Sequence, residues 1–421
     1  TKILEAKQDI LFQLGTQAFA NVKLDDAVSL FSQAIQLGSY NMEARNDAYF
    51  WRGESYYRMG EYENAISDYR TYLNNTRQRN TDMYALAYYN LGYSYFKLRD
   101  YSAALNRFRQ YVDLESNRQA ASLADAYNRI GDCLYQNRQF SLAEENYSRA
   151  AQLSPSAGDY SIYQKGFLLG LQKDYKGKIS AMDRLISEYP ESQYVDDALF
   201  EKGRSYVLLE NSSSAAQAFE KLIREFPLSS LARKAGIQLG LLYYNDNQPE
   251  KALAAYKQVI SNYPGSEEAK IALQDLKSVY IDLNDINAYA SYVNSIGGNI
   301  RLEVGEQDSL TYIAAEKLFM RGDNDGARRS LINYLQTFPE GAFSSNANFY
   351  LGSIAFAKKE FDEAIQRFKS VIASGDTKFL EESVARTAEI EYLSKDYPAA
   401  LESFKRLQIV AENPENRQAA R

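Results

Sequence analysis

Five places in this 421-residue chain hold side chains whose types and spacing suit chemistry. Gly322-Asp323-Asn324-Asp325-Gly326 crowds oxygen ligands as a calcium loop does, but lacks that loop's regular acidic alternation and closing Glu. It falls where a hairpin turn is expected and reads as one. Cys133 is the single cysteine; two residues after Gly131 in a helix, it reads as a small buried filler rather than a reactive thiol. The carboxylate pairs Asp196/Asp197 and Glu381/Glu382 have the make-up of acid–base couples. Both lie on amphipathic helices, where a solvated face is the expectation. Thr1 has the hydroxyl and α-amine of a self-activated nucleophile, but it runs straight into a helical segment.

The wider composition closes most remaining routes. There is no histidine, which removes the commonest general base, nucleophile activator and metal ligand together. One cysteine permits neither an intrachain disulfide nor a cysteine-clustered zinc site. No Gly-rich phosphate loop follows a strand. The expectation is a non-enzymatic chain with no catalytic residue, no metal site and no cofactor. A net charge of −7 opposes nucleic acid as a partner. No stretch approaches the roughly 20 apolar residues of a membrane span.

The elements behind these residues repeat. Pro190, Pro227 and Pro264 stand 37 residues apart, each after Tyr or Phe, with a weaker copy at Phe338-Pro339. Eight residues after each proline comes an alanine: Ala198, Ala235, Ala272 and Ala347. Proline halts a helix, and the serines two places on, Ser192, Ser229 and Ser266, suit the N-cap of the next one. Between boundaries, a small residue is followed twelve later by alanine and sixteen later by a large apolar residue. Gly15/Ala27/Phe31, Gly53/Ala65/Tyr69, Gly92/Ala104/Phe108 and Gly131/Ala143/Tyr147 begin the series. Gly203/Ala215/Phe219, Gly240/Ala252/Tyr256, Ala315/Ala327/Leu331, Gly352/Ala364/Phe368 and Ala388/Ala400/Phe404 extend it. Two degraded copies fit around Gly166, with Lys178 and Met182, and around Lys277, with Tyr289 in the alanine slot. About eleven units fill the chain, each a pair of helices, the second with a one-sided apolar stripe such as Leu105, Phe108 and Tyr111/Val112.

This frame resembles the tetratricopeptide repeat (TPR), on Leu91-Gly92, Tyr95, Ala104 and Phe108 in one unit and Gly203, Tyr206, Ala215, Phe219 and Pro227 in another. The resemblance implies an all-α, right-handed superhelical solenoid of about eleven helical hairpins. The [Tyr/Phe]-Pro-x-Ser form is similar to a bacterial envelope subset, the Tol-Pal accessory protein and outer-membrane assembly lipoproteins. That similarity implies a scaffold that binds a protein or peptide in its concave face, periplasmic or outer-membrane associated. A cytoplasmic adaptor and a glycan-uptake outer-membrane lipoprotein are the alternatives, and a lipid anchor upstream of Thr1 is compatible with the first reading. The segment after Glu412-Asn413-Pro414 reads as the opening of another unit, so the chain is expected to be a piece of a longer protein.

In the resembled family the first helix of each unit lines the concave surface. Its groove slots, carried over by position, lie three residues before the glycine and one and four after it. They place Phe12, Phe19, Phe50, Tyr57, Tyr89, Tyr93, Phe96 and Tyr135 toward a partner, with Phe200, Phe349 and Phe356 in later units. The Lys/Asn clamp of the family's chaperone-tail binders is missing, since the slots hold Phe50/Glu54, Tyr89/Tyr93 and Asn128/Asp132. Units 1–8 are expected over residues 1–294, an irregular linker over 295–309 containing Gly297-Gly298 and the alternating Ile300, Leu302 and Val304, and units 9–11 over 310–421.

Overall fold

The computed structural model describes residues 1–297 and 300–421. Gly298, half of the expected Gly-Gly break, lies outside the described residues. Among the described residues the regular structure is all helical. The chain forms two compact units, Thr1–Ala235 and Gly236–Arg421.

The first unit holds six hairpins: α1/α2 (Lys2–Ala20, Leu24–Gln36), α3/α4 (Met42–Met59, Tyr62–Asn75), α5/α6 (Asp82–Lys97, Tyr101–Leu114), α7/α8 (Ala121–Gln136, Phe140–Leu153), α9/α10 (Asp159–Leu171, Tyr175–Glu188) and α11/α12 (Val195–Leu208, Ser212–Glu225). The seventh opens with α13 (Ser230–Asn245) and closes with α14 (Pro249–Asn262). Then come α15/α16 (Glu267–Asp282, Ile286–Ile296), α17/α18 (Val304–Met320, Asn324–Thr337), α19/α20 (Ser344–Ala357, Phe361–Ser374), α21/α22 (Leu380–Leu393, Tyr397–Val410) and a short α23 (Pro414–Ala419). Val304 starts a helix, so the alternating Ile300, Leu302 and Val304 do not form a strand.

Each hairpin turns by one device. A single residue adopts φ between +54° and +82°: Val22, Gly60, Arg99, Arg138, Lys173, Glu210, Asn247, Asn284, Gly322, Lys359 and Lys395. The next residue's N–H bonds five residues back, as Asp100 does to the Tyr95 carbonyl at 3.0 Å, the bond that closes a helix C-terminus around a left-handed residue. Six turns follow it with an Asp or Asn whose side chain caps the second helix: Asp100, Asp174, Asn211, Asp285, Asp323 and Asp396. Asp323 accepts from the Gly326 N–H at 2.9 Å, so the acidic run there is a turn and cap.

The core of each hairpin sits where the repeat places glycine. Ala27, Ala65, Ala104, Ala143, Ala215, Ala252, Ala327 and Ala364 are fully buried. The residue sixteen after the small one, on the second helix, packs its ring against the first: a Cβ on Gly92 would fall 2.9 Å from the Phe108 ring, and one on Gly53 3.2 Å from that of Tyr69. Absence of Cβ is what lets the backbone approach the ring. Met182 fills the same place above Gly166, and Tyr289 is buried in the second degraded unit. In the last unit Ala400 is buried but Phe404 only half so.

Two expectations need correction. Ser192 does not cap the following helix, which starts at Val195; its hydroxyl donates to Asp159, 33 residues earlier, at 2.5 Å, as the Ser229 hydroxyl donates to Asp196 at 2.6 Å. Ser229 and Ser266 cap as expected, Ser229 accepting from the Leu231 N–H at 3.1 Å and Ser266 from the Ala269 N–H. Nor are the paired acids simply solvated. Asp196 holds Ser229, and Glu381 accepts from the Glu412 and Asn413 N–H groups and from Asn416. These carboxylates pin the start of one repeat to the first helix of the repeat before it.

Candidate functional site

The eight aromatic slot residues divide by burial. Phe50 is 2% exposed, enclosed by Trp51, Tyr69 and Tyr72 with ring centroids 5.4–5.8 Å away. Phe19 is 7% exposed, edge-on to Trp51 at 5.2 Å and covered by the Arg58 guanidinium at 4.1 Å. Both belong to inter-helix packing, because bulky rings at consecutive positions of α3 leave no room for the slot to face outward. Phe12, Tyr57, Tyr89, Tyr93, Phe96 and Tyr135 are half buried. In the second unit Phe349 stacks on Phe379 at 4.3 Å.

The slot four after the glycine has a recurrent partner that the repeat reading missed. Tyr57 packs on Tyr62, Phe96 on Tyr101 and Tyr135 on Phe140, with centroids 5.4–5.8 Å apart. Phe356/Phe361 and Tyr392/Tyr397 repeat it at 5.9 and 6.0 Å. The partner is the first residue of the second helix, so one edge of each ring clasps the hairpin turn. Its signal was an aromatic nine residues after the small residue, Gly or, for Tyr397, Ala388.

Tyr89, Tyr93 and Phe96 are brought together on α5. The two tyrosine rings lie 5.0 Å apart and both pack against Phe108 of α6. Their hydroxyls converge on one carboxylate of the next repeat: Tyr89 donates to Asp125 at 2.8 Å, and Tyr93 donates to the same oxygen. Burial first, then the Asp125 charge, holds both phenols well above their ordinary range, so they stay protonated donors.

A second acid continues this line on α7. Asp132 accepts from Tyr147 and from Tyr160 at 2.7 Å each, and Arg129 reaches it at 2.7 Å. Burial raises the Asp132 carboxyl, and Arg129 with the two hydroxyls partly offsets that. The Arg129 guanidinium also lies over Tyr160 at 4.9 Å and Phe96 at 5.8 Å. Hairpin 2 uses the same device: Glu54 accepts from Tyr69 at 2.8 Å and from Asn90 of the next first helix. An acid one after the glycine thus serves a tyrosine sixteen after it, a pairing visible in the sequence as Glu54/Tyr69 and Asp132/Tyr147.

Cys133 is fully buried, its thiol pushed up to about 12 by burial and by Asp132, with Arg129 opposing. No helix among the described residues is long and apolar enough to cross a membrane. The arrangement offers half-exposed rings on successive first helices, braced by carboxylates, which suits holding a chain by its side chains.

Known proteins place this arrangement in a family. Residues 45–114 match one tetratricopeptide repeat model, 89–158 and 314–377 a second, and 160–192 a third, together half of the chain. Residues 196–273 match a model described as YfiO, an outer membrane lipoprotein. No curated protein sequence matches. The C-terminal part of a TPR repeat-containing protein from Cytophaga hutchinsonii has a similar structure, with a TM-score of 0.52 at 20% identity over 62% of this chain and 99% of that one. A tetratricopeptide repeat protein from Parabacteroides merdae gives 0.44 at 16% identity, over 65% and 99%. PilW, described as a widely conserved type IV pilus biogenesis factor, gives 0.42 at 18%, over 54% and 97%. With its hairpins, its buried Gly–aromatic contacts and these matches, the chain belongs to the tetratricopeptide repeat family.

Proposed function

We propose that this protein is a scaffold of the bacterial envelope that holds an extended peptide or a partner's exposed segment along the first helices of its N-terminal unit. The observation that carries the reading is the run of half-buried aromatic slots, Phe12, Tyr57, Tyr89, Tyr93, Phe96 and Tyr135, over four consecutive hairpins. Tyrosine and phenylalanine offer large contact area with few torsions to fix, which favours them at binding surfaces. The outer membrane lipoprotein match over 196–273 supports the envelope setting.

Two experiments test the parts separately. Peptides selected from a random library against the full chain should bind Tyr135→Ser about tenfold more weakly, with little change in the unfolding midpoint; unchanged affinity contradicts the groove. Fractionation of cells carrying the tagged natural gene should recover the protein with the envelope. Recovery in the cytoplasm contradicts that setting and leaves the groove standing.

A further inference from the structure

A cavity of about 430 Å³ opens between the start of α3 and the loop that follows α4. That volume is in the range of small-ligand sites. Its wall is built from two sorts of group. Met42, Met83, Tyr49 and Tyr72 supply apolar and aromatic surface, and Glu43 and Asp47 supply carboxylates one helical turn apart. Asn46 closes the wall: its amide N–H groups reach Thr76 Oγ1 at 2.6 Å and, weakly, the Tyr72 carbonyl. Its Oδ1 is buried without a donor among the described residues.

The charges here are not arranged as a structural ion pair. Arg45 lines the cavity, but its guanidinium is engaged by the Ile35 carbonyl at 3.2 Å and by the ring of Tyr49. Arg77 is exposed on the rim. Neither makes a salt bridge to Glu43 or Asp47, whereas Glu54, Asp125 and Asp132, half-buried acids on the first helices of this unit, each have a hydroxyl or cation in contact. Burial and the neighbouring Glu43 raise Asp47 accordingly.

We infer that this cavity is a binding site for a basic side chain of a partner, its guanidinium or ammonium head at Asp47 and Glu43 and its alkyl stem between Met42, Met83 and the rings of Tyr49 and Tyr72. Such a head supplies the missing counter-charge and donates the hydrogen bonds the carboxylates lack. The aromatic walls favour it further, since cations are drawn to ring faces. An acidic ligand would instead face two unpaired carboxylates.

The chain has five methionines, two of them in this wall, so methyl-¹³C methionine NMR of the full chain reads the site directly. Butylguanidinium should shift the Met42 and Met83 signals saturably, with a Kd on the order of 1 mM, while Met59, Met182 and Met320 stay still. Butyrate and butanol should leave all five unmoved. Asp47→Asn should weaken butylguanidinium binding about tenfold and Glu43→Gln should weaken it less, both with unchanged helical circular dichroism. No saturable shift, an equal response to butyrate, or undiminished binding by both variants would overturn the assignment. Each of those results leaves the aromatic groove untouched, because the probe does not occupy it.

Discussion

Tyr147 donates its hydroxyl to Asp132 across the fourth hairpin at 2.7 Å, and the ring that carries it lies against Gly131, the residue before Asp132. One glycine admits the ring and the next side chain anchors its tip. Packing and polar satisfaction are therefore locked to the same register of α7 on α8, and a shift of either helix loses both.

The close approach makes glycine sensitive to graded substitution. A Cβ on Gly131 would fall 2.6 Å from the Tyr147 ring, against 3.2 Å for Gly53 and Tyr69. Gly131→Ala should lose about 2 kcal/mol through overpacking, net of the helix-propensity gain. Gly53→Ala should cost less, because a few tenths of an ångström relieve it. Urea unfolding of both variants checks the ranking, and an equal cost would contradict it.

Removing only the hydroxyl separates the anchor from the packing. Tyr147→Phe keeps the ring against Gly131 while Asp132 retains Tyr160 and Arg129. The expected loss is about 1 kcal/mol. Hydrogen exchange at α7 and α8 amides should show it locally, with the second unit unaffected, as nearest-neighbour coupling in a repeat array requires.

Val22 turns the first hairpin at φ +60°, a conformation that a β-branched residue occupies only under strain. Val22→Gly should raise the stability of that hairpin by about 1 kcal/mol. Thermal unfolding of the full chain is the measurement; a lower midpoint would show that the exposed valine makes compensating contacts.

Asp47 gives a pH signature. Its carboxyl is raised from the ordinary 3.8 to about 6, by burial first and by Glu43 second. The folded state therefore binds more protons than the unfolded state between those values, and stability falls as pH rises through the window. Asp47→Asn should be the more stable protein at pH 7, by about 1 kcal/mol once partial exposure is allowed for. The difference should vanish below pH 4. A constant difference from pH 4 to 7 would assign it to something other than titration.

The repeat was legible because each hairpin demands the same contact and only a few residue types meet it. Gly, then Ala at twelve, then a ring at sixteen is the imprint of two backbones held close, and it survives where proline is lost, as at Gly92 and Phe108. The groove was less legible. A slot position says which way a helix residue points, not what neighbouring rings do with it, and Trp51 beside Phe50 converts a slot into core. The roles of Asp125, Asp159 and Asp196 depend on groups some 32 to 36 residues away, in the adjoining repeat. The cavity at Asp47 was invisible because its walls come from the start of α3 and the loop after α4, some thirty residues apart, and the repeat frame has no signature position in that loop.

The central claim is that the half-buried rings of the first helices hold a partner. A photoreactive phenylalanine analogue placed at Tyr57, Phe96 and Tyr135, one at a time, keeps a ring in each turn clasp, and at exposed Arg70 and Arg109 on second helices it serves as control. With a library-selected peptide bound to the full chain, crosslinks should form from positions 57, 96 and 135 and not from 70 or 109. Crosslinks from 70 and 109 alone, or a library yielding no peptide above background, would contradict it.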